Sequence, residues 1–283
     1  MARTSYMFTE AWIRRYAVHL MEQERAVNTI QKYVYSLHKL QRYLNGTPVT
    51  KMALIGWKEQ LMQTYAPASI NTMLASLNSF LSFMGWHGLE MKPLKVQRTL
   101  FCDERRELSR SEYMRLVNVA QRIGKLQLAL ILQTICATGI RVSELRFITR
   151  EAVQTGRAEV FNKGKRRTVF LPGKLCRILR KYLCEKKITD GAIFITRTGR
   201  PLDRSNIWRE MKDLCEKAGV DPDKVFPHNL RHLFARTYYA IEKDLSRLAD
   251  ILGHTSVNTT RIYTVESGMV HARQLERMNL IIT

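Results

Sequence analysis

The chain has 283 residues and carries 46 lysines and arginines against 25 aspartates and glutamates, a formal net charge of +21. Such a length exceeds a typical domain of ~100 to 200 residues, and the spread of cations over both halves favours a polyanionic partner, nucleic acid ahead of an acidic membrane surface. The five cysteines form no C-x-x-C pair, which argues against a disulfide framework or zinc site, and no signal-like leader or run of ~20 apolar residues is seen, so a cytoplasmic protein without a membrane partner is expected.

From Phe8 to Met84 apolar residues recur at helical spacing: Phe8, Trp12 and Tyr16, then Ile30, Val34, Leu37, Leu40 and Leu44, then Ile70, Met73, Leu74, Leu77 and Leu81. Four helices are predicted, with Thr9, Asn28 and Thr50 as candidate N-caps and with Gly46-Thr47-Pro48 and Ala66-Pro67 as breaks. Their polar faces carry Arg14, Arg15, Lys32, Lys39 and Arg42, with Asn71, Ser76 and Asn78 on the last helix, and such faces suit phosphates. Periodicity then stops, and the proline-interrupted basic run from Lys92 to Arg98 reads as a linker, adding Lys95 and Arg98 as DNA-contact candidates. The expected organisation is therefore a helical DNA-binding domain over residues 1–87, a linker over 88–107 and a second domain over 108–283.

Ser109 suits an N-cap, and helical patterning follows it through Leu126 to Ile135. Strand-like Ala158 to Phe161 and Thr168 to Leu171 flank Asn162-Lys163-Gly164-Lys165, which predicts a hairpin with a basic tip where Lys165 and Arg166 are further DNA-contact candidates. Leu175 to Leu183, Asn206 to Ala218, His228 to Ile241, Leu245 to Leu252 and Met269 to Ile282 read as helices. The fold class is mainly α with one small antiparallel β-hairpin, making the second domain α+β.

Four segments carry chemistry. Thr138-Gly139-Ile140-Arg141 places an arginine after a glycine turn, at the expected start of a helix, with Glu144 three residues on to brace it. His228 and Arg231 share one helical face, and a lysine pair marks the hairpin. Leu252-Gly253-His254 is followed by Tyr263. Tyrosine titrates near pH ~10, so a nucleophilic tyrosine needs neighbours that organise its target, and guanidinium groups supply planar, permanently charged donors for phosphate oxygens. Each piece alone is common, since an Arg-x-x-Glu pair occurs on many helix surfaces. In this order, however, Thr-Gly-Ile-Arg-Val-Ser-Glu-Leu, His-Asn-Leu-Arg-His-Leu-Phe-Ala and Leu-Gly-His-Thr-Ser-Val-Asn-Thr-Thr-Arg-Ile-Tyr closely resemble the active-site series of the tyrosine recombinases, the phage integrase family, over about Ser109 to Val265. The N-terminal helices resemble that family's core-binding domain.

The resemblance implies a two-domain, C-shaped clamp on double-stranded DNA and a strand exchange that uses no cofactor and no metal. Tyr263 would attack a phosphodiester to give a 3′-phosphotyrosyl link. Arg141 and Arg231 would bind the scissile phosphate, and His228 would bond it and assist proton transfer at Tyr263. His254 would steady the transition state, and Glu144 would brace Arg141. Lys163, or Lys165 in its place, would protonate the leaving 5′-oxygen. His232 is expected to hydrogen-bond within its helix, and Tyr238 and Tyr239 to pack in the core. Four protomers would act on two duplexes, with the helix at Met269 to Ile282 docking into a neighbour, as in an Xer-type or small mobile-element integrase. A type IB topoisomerase-like nicking enzyme and a catalytically silent architectural factor remain as alternatives.

Overall fold

A computed structural model describes residues 6–96, 104–162, 164–254, 256–263 and 276–278. It divides into two compact units, Met1–Arg98 and Thr99–Thr283, each with its own apolar core.

In the first unit α1 (Glu10–Glu22), α2 (Val27–Leu44), α3 (Lys51–Thr64) and α4 (Pro67–Met84) enclose Tyr16, Leu37, Leu40, Leu54, Trp57, Leu77 and Phe80. Thr50 caps α3 by accepting from the Ala53 N–H, and Pro67 occupies the first turn of α4, where its missing donor costs nothing. Asn28 is not the cap of α2: the helix begins at Val27, with Ala26, two residues before Asn28, in the cap position. Asn71, Ser76 and Asn78 of α4 bond within the fold. Asn78 exchanges both amide hydrogen bonds with the backbone of Met91 at 2.8 Å, Asn71 does the same with Leu94 at 2.9 and 2.7 Å, and Ser76 is buried and bonds the Met73 carbonyl. Residues 88–94, where periodicity fails, are thereby strapped along α4, and Met91 joins the core at 5% exposure.

The second unit starts with a capping box. Ser109 Oγ accepts from the Glu112 N–H while the Glu112 carboxylate accepts from the Ser109 N–H, which fixes the entry to α5 (Arg110–Arg122). Gly124, at φ +76°, then splits what reads as one helical run, and α6 (Leu126–Thr138) follows with residues 128–132 all buried. A short α7 (Arg150–Thr155) leads into β1 (Arg157–Asn162) and β2 (Lys165–Phe170), paired antiparallel from Arg157 opposite Phe170 to Asn162 opposite Lys165. The pairing thus runs one residue further toward the tip on the first strand, and three on the second, than the apolar pattern predicts. The remaining helices are α8 (Gly173–Glu185), α9 (Arg204–Ala218), α10 (Pro227–Glu242), α11 (Leu245–Leu252) and α12 (Val257–Thr260), and a 3-10 turn over Arg261–Tyr263 follows. Of the predicted helix at Met269 to Ile282, only residues 276–278 are among those described. Among the described residues no helix is long and apolar enough to cross a membrane.

Candidate functional site

The site is built on glycine. Gly139 ends α6 at φ +63°, and a Cβ there would lie 2.5 Å from the Phe234 ring and 3.0 Å from Leu252, so the close approach of α6, α10 and α11 demands its absence. The chain leaving Gly139 does not begin an α-helix at Arg141, as the motif suggested. It makes a 3-10 helix over Val142–Phe147, because the Glu144 N–H bonds the Arg141 carbonyl at 2.8 Å and the Glu144 carboxylate takes the Arg141 N–H at 2.9 Å, closing a three-residue turn. The same carboxylate receives Arg141 Nη1 at 3.0 Å. Its other oxygen receives Arg167 Nη2 from β2 at 2.6 Å, so a carboxylate that is 2% exposed is compensated from both sides.

α10 carries His228 and Arg231 one turn apart. Arg231 is 2% exposed and donates to the Gly139 carbonyl and, at 2.6 Å, to the Leu252 carbonyl. The last carbonyls of a helix have no partner within it and form its negative end. At the end of α11 three consecutive ones accept from three arginines: Ile251 from Arg167 at 2.7 Å, Leu252 from Arg231, and Gly253 from Arg141 at 3.5 Å. That gathering places Arg141 and Arg231 side by side although ninety residues separate them in the chain (231 − 141).

His254 follows directly, its Nε2 at 3.2 Å from Arg231 Nη2 and its Nδ1 at 2.8 Å from Thr260 Oγ1. A guanidinium only donates, so Nε2 accepts and the ring proton sits on Nδ1, donated to Thr260. Tyr263 is 4% exposed, its ring nearly parallel to His254 at 5.9 Å between centroids, and its hydroxyl interacts with Arg231. Edge-on to Tyr263, at 4.7 Å, lies His232. Its Nδ1 meets Glu107 Oε1 at 3.3 Å rather than a partner within its own helix, since the Glu107 carboxylate, shared with Arg236 at 3.2 Å, is a charged acceptor. Tyr238 and Tyr239 are half-buried and pack beside Tyr263 with Phe234.

The field of this cluster is cationic. Burial first, and then the charges of Arg231, Arg141 and Arg167, push the His254 imidazole down to about 4. His228 is likewise pushed down to about 4, by burial of its ring against His232 at 4.4 Å and then by His232, Arg231 and Arg141, although the residue as a whole is exposed. Both rings are neutral at pH 7. Burial and the neighbouring Arg141 bring the Arg231 guanidinium down to about 10, which leaves it charged there.

Lys163 lies outside the described residues, as does Arg98, and the side chain of Lys165 is not among those described. Arg166 is exposed, with its guanidinium 4.7 Å over the Phe161 ring. In the first unit Arg14, Arg15, Lys32, Arg42 and Lys95 are exposed, with Arg14 near Glu10 at 3.5 Å and Arg15 over Trp12. Lys39 instead folds onto the rings of Tyr35 and Tyr65 and bonds the Tyr65 hydroxyl, which raises its pKa.

Residues 106–268 match the phage integrase family, and residues 13–88 match the phage integrase N-terminal SAM-like domain. The chain is 27% identical to tyrosine recombinase XerA of Pyrococcus furiosus over 95% of its own length and 94% of that relative. It is 31% identical to tyrosine recombinase XerD of Xanthomonas campestris pv. campestris, covering 90% and 88% respectively. Among solved structures, XerH site-specific recombinase bound to its difH substrate superposes with a TM-score of 0.70 at 20% identity over 94% of this chain and 84% of that one. A lambda integrase tetramer bound to a Holliday junction gives 0.73 at 20% identity over 93% and 78%. With more than half of its residues matched by the family and a relative above 30% identity along nine-tenths of it, the chain belongs to the phage integrase family of tyrosine recombinases.

Proposed function

We propose that this chain is a site-specific recombinase that cuts and rejoins duplex DNA through a bond between Tyr263 and a 3′-phosphate. The observation that carries this reading is the meeting of Arg141, Arg231, His254 and Tyr263, from separate segments, at the end of α11. In the forward step the Tyr263 oxygen bonds to phosphorus and loses its proton. The bond from phosphorus to the 5′-oxygen breaks, and that oxygen leaves with its electron pair and takes up a proton. Bond energy is retained, so reversal on a partner strand needs no external energy source.

Arg141 and Arg231 neutralise the non-bridging oxygens as the phosphate becomes pentacoordinate. His228, neutral and exposed beside them, hydrogen-bonds the phosphate and assists proton transfer at Tyr263. His254 steadies the transition state next to Arg231. Lys163 keeps the leaving-group role that family resemblance gives it. Tyr263 is packed away in the free chain, so DNA entry must uncover its hydroxyl.

The basic surface of the first unit, at Arg14, Arg15, Lys32 and Arg42, supplies phosphate contacts to a duplex bound in the cytoplasm. Four protomers acting on two duplexes, linked by the segment 269–282, complete the proposal. The biological setting is that of an Xer-type or mobile-element enzyme.

The test is covalent selection from a random duplex pool, followed by a nicked version of the recovered site that prevents religation. Wild-type chain is expected to give a protease-sensitive protein–DNA adduct and Tyr263→Phe none, with duplex binding retained. No adduct from wild type, or the same adduct from the variant, sinks the reading. Relaxation of any supercoiled plasmid without recombinant products would favour a nicking enzyme instead.

A further inference from the structure

Arg167 is held more tightly than any role in strand transfer asks of it. Its side chain is 15% exposed, with Nη2 on Glu144 Oε2 at 2.6 Å and Nη1 on the Ile251 carbonyl at 2.7 Å. Gly253 comes next after Leu252 at φ +64°, and a Cβ there would lie 2.5 Å from Arg167 Cδ, so the backbone entering His254 rests on the arginine stem. Glu144, gripped from one side by Arg167, grips Arg141 from the other. Both terminal nitrogens of Arg167 thus aim at acceptors of the protein, and its Nε is buried without a partner.

We infer, on the recombinase reading, that Arg167 is a positioning residue: by joining Glu144 to the end of α11 it fixes Arg141 and His254 relative to one another, and it does not itself touch the phosphate. The helix end explains why a third guanidinium is tolerated there, since its carbonyls and the Glu144 carboxylate offset the repulsion among Arg141, Arg167 and Arg231. A lysine could reach only one of the two acceptors, because it lacks the planar fork.

The groups facing His254 are Arg231 and His228 from α10, Arg141 from the turn after α6, Arg167 from β2, the Thr260 hydroxyl from α12 and the Tyr263 ring. The full chain is labelled at its histidine rings and titrated by NMR, with His254→Gln to assign the signal. Arg167→Met is expected to raise the His254 midpoint by about one unit, toward the ordinary ~6.5, through loss of the charge and loosening of the loop. Arg167→Lys should raise it less. Met211→Ala, which opens the core at a fully buried residue of α9, should leave it unmoved. On the nicked duplex Arg167→Met should cleave about tenfold more slowly or worse, with duplex affinity unchanged.

An equal midpoint shift in Met211→Ala and Arg167→Met, or wild-type cleavage by Arg167→Met, overturns the assignment. If Arg167→Met does not fold, Arg167→Lys decides, and an unmoved midpoint with an unmoved rate overturns it as well. The titration needs no DNA, so it judges Arg167 even if wild type traps no adduct, the outcome that defeats the recombinase reading.

Discussion

His254 is neutral for a reason that can be read from its two nitrogens: one faces a cation that only donates, and the other donates to a buried hydroxyl. Protonation would set a second positive charge against Arg231. The consequence for stability has a definite sign. His228 and His254 titrate at about 4 in the folded chain against an ordinary ~6.5, so the unfolded chain binds more protons between those values and folding weakens as pH falls through that window. Above it the two rings cost nothing. Urea midpoints measured at pH 7, 5.5 and 4.5 should therefore drop less steeply in a His228→Gln/His254→Gln variant than in wild type, and parallel curves would contradict the assignment. The residues of this cluster were legible unequally. Arg141, His228, Arg231, His254 and Tyr263 stand in motifs, whereas Arg167 belongs to none of them. A signal was present, since Arg167 is two residues from buried Val169 and pairs with buried Val160, and a cation on a core face needs a partner. That the partners are Glu144 and a carbonyl 84 positions away follows only from the fold. Glu107 was equally hidden, because its link to His232 crosses 125 residues.

Helices long enough to repeat their apolar pattern, such as α2, α4 and α6, are legible, while α7, α12 and the 3-10 turns are shorter than two periods and leave no pattern to read. The elements of the site meet because glycine sits where two of them touch. Gly139→Ala combines a left-handed φ with overlap on Phe234 and Leu252, and is expected to cost roughly 2–4 kcal/mol. Gly199→Ala has the left-handed φ of +78° but open space around it, and should cost only about 1 kcal/mol. Denaturant unfolding of the two variants separates packing from backbone strain, and equal losses would mean that α6, α10 and α11 can part without penalty. At the start of α5, Ser109→Ala removes one half of the capping box and should cost about 1 kcal/mol, with Ser109→Gly costing less.

Two separate cores mean that cooperativity is expected within each unit rather than across the chain. The first unit has a core of its own: Tyr16, Trp57 and Phe80 pack among α1 to α4, and the strap at 88–94 closes that core with Met91. A fragment of residues 1–98 should therefore unfold as one sigmoidal transition, and a gradual loss of helicity would show that the core is incomplete alone. The charge of the whole chain acts at the same scale. Each phosphate neutralised contributes about 0.9 to the slope of log affinity against log salt. Among the described residues the exposed Arg14, Arg15 and Lys32 of the first unit are anchored to no buried acceptor, so replacing all three with the helix-compatible glutamine should cost little stability while lowering that slope by up to about 3 if each meets a phosphate. Affinity should fall in parallel on specific and unrelated duplexes, because backbone contacts carry no sequence information. An unchanged slope would remove this face from the DNA contact and leave the N-terminal unit's role to its other surfaces.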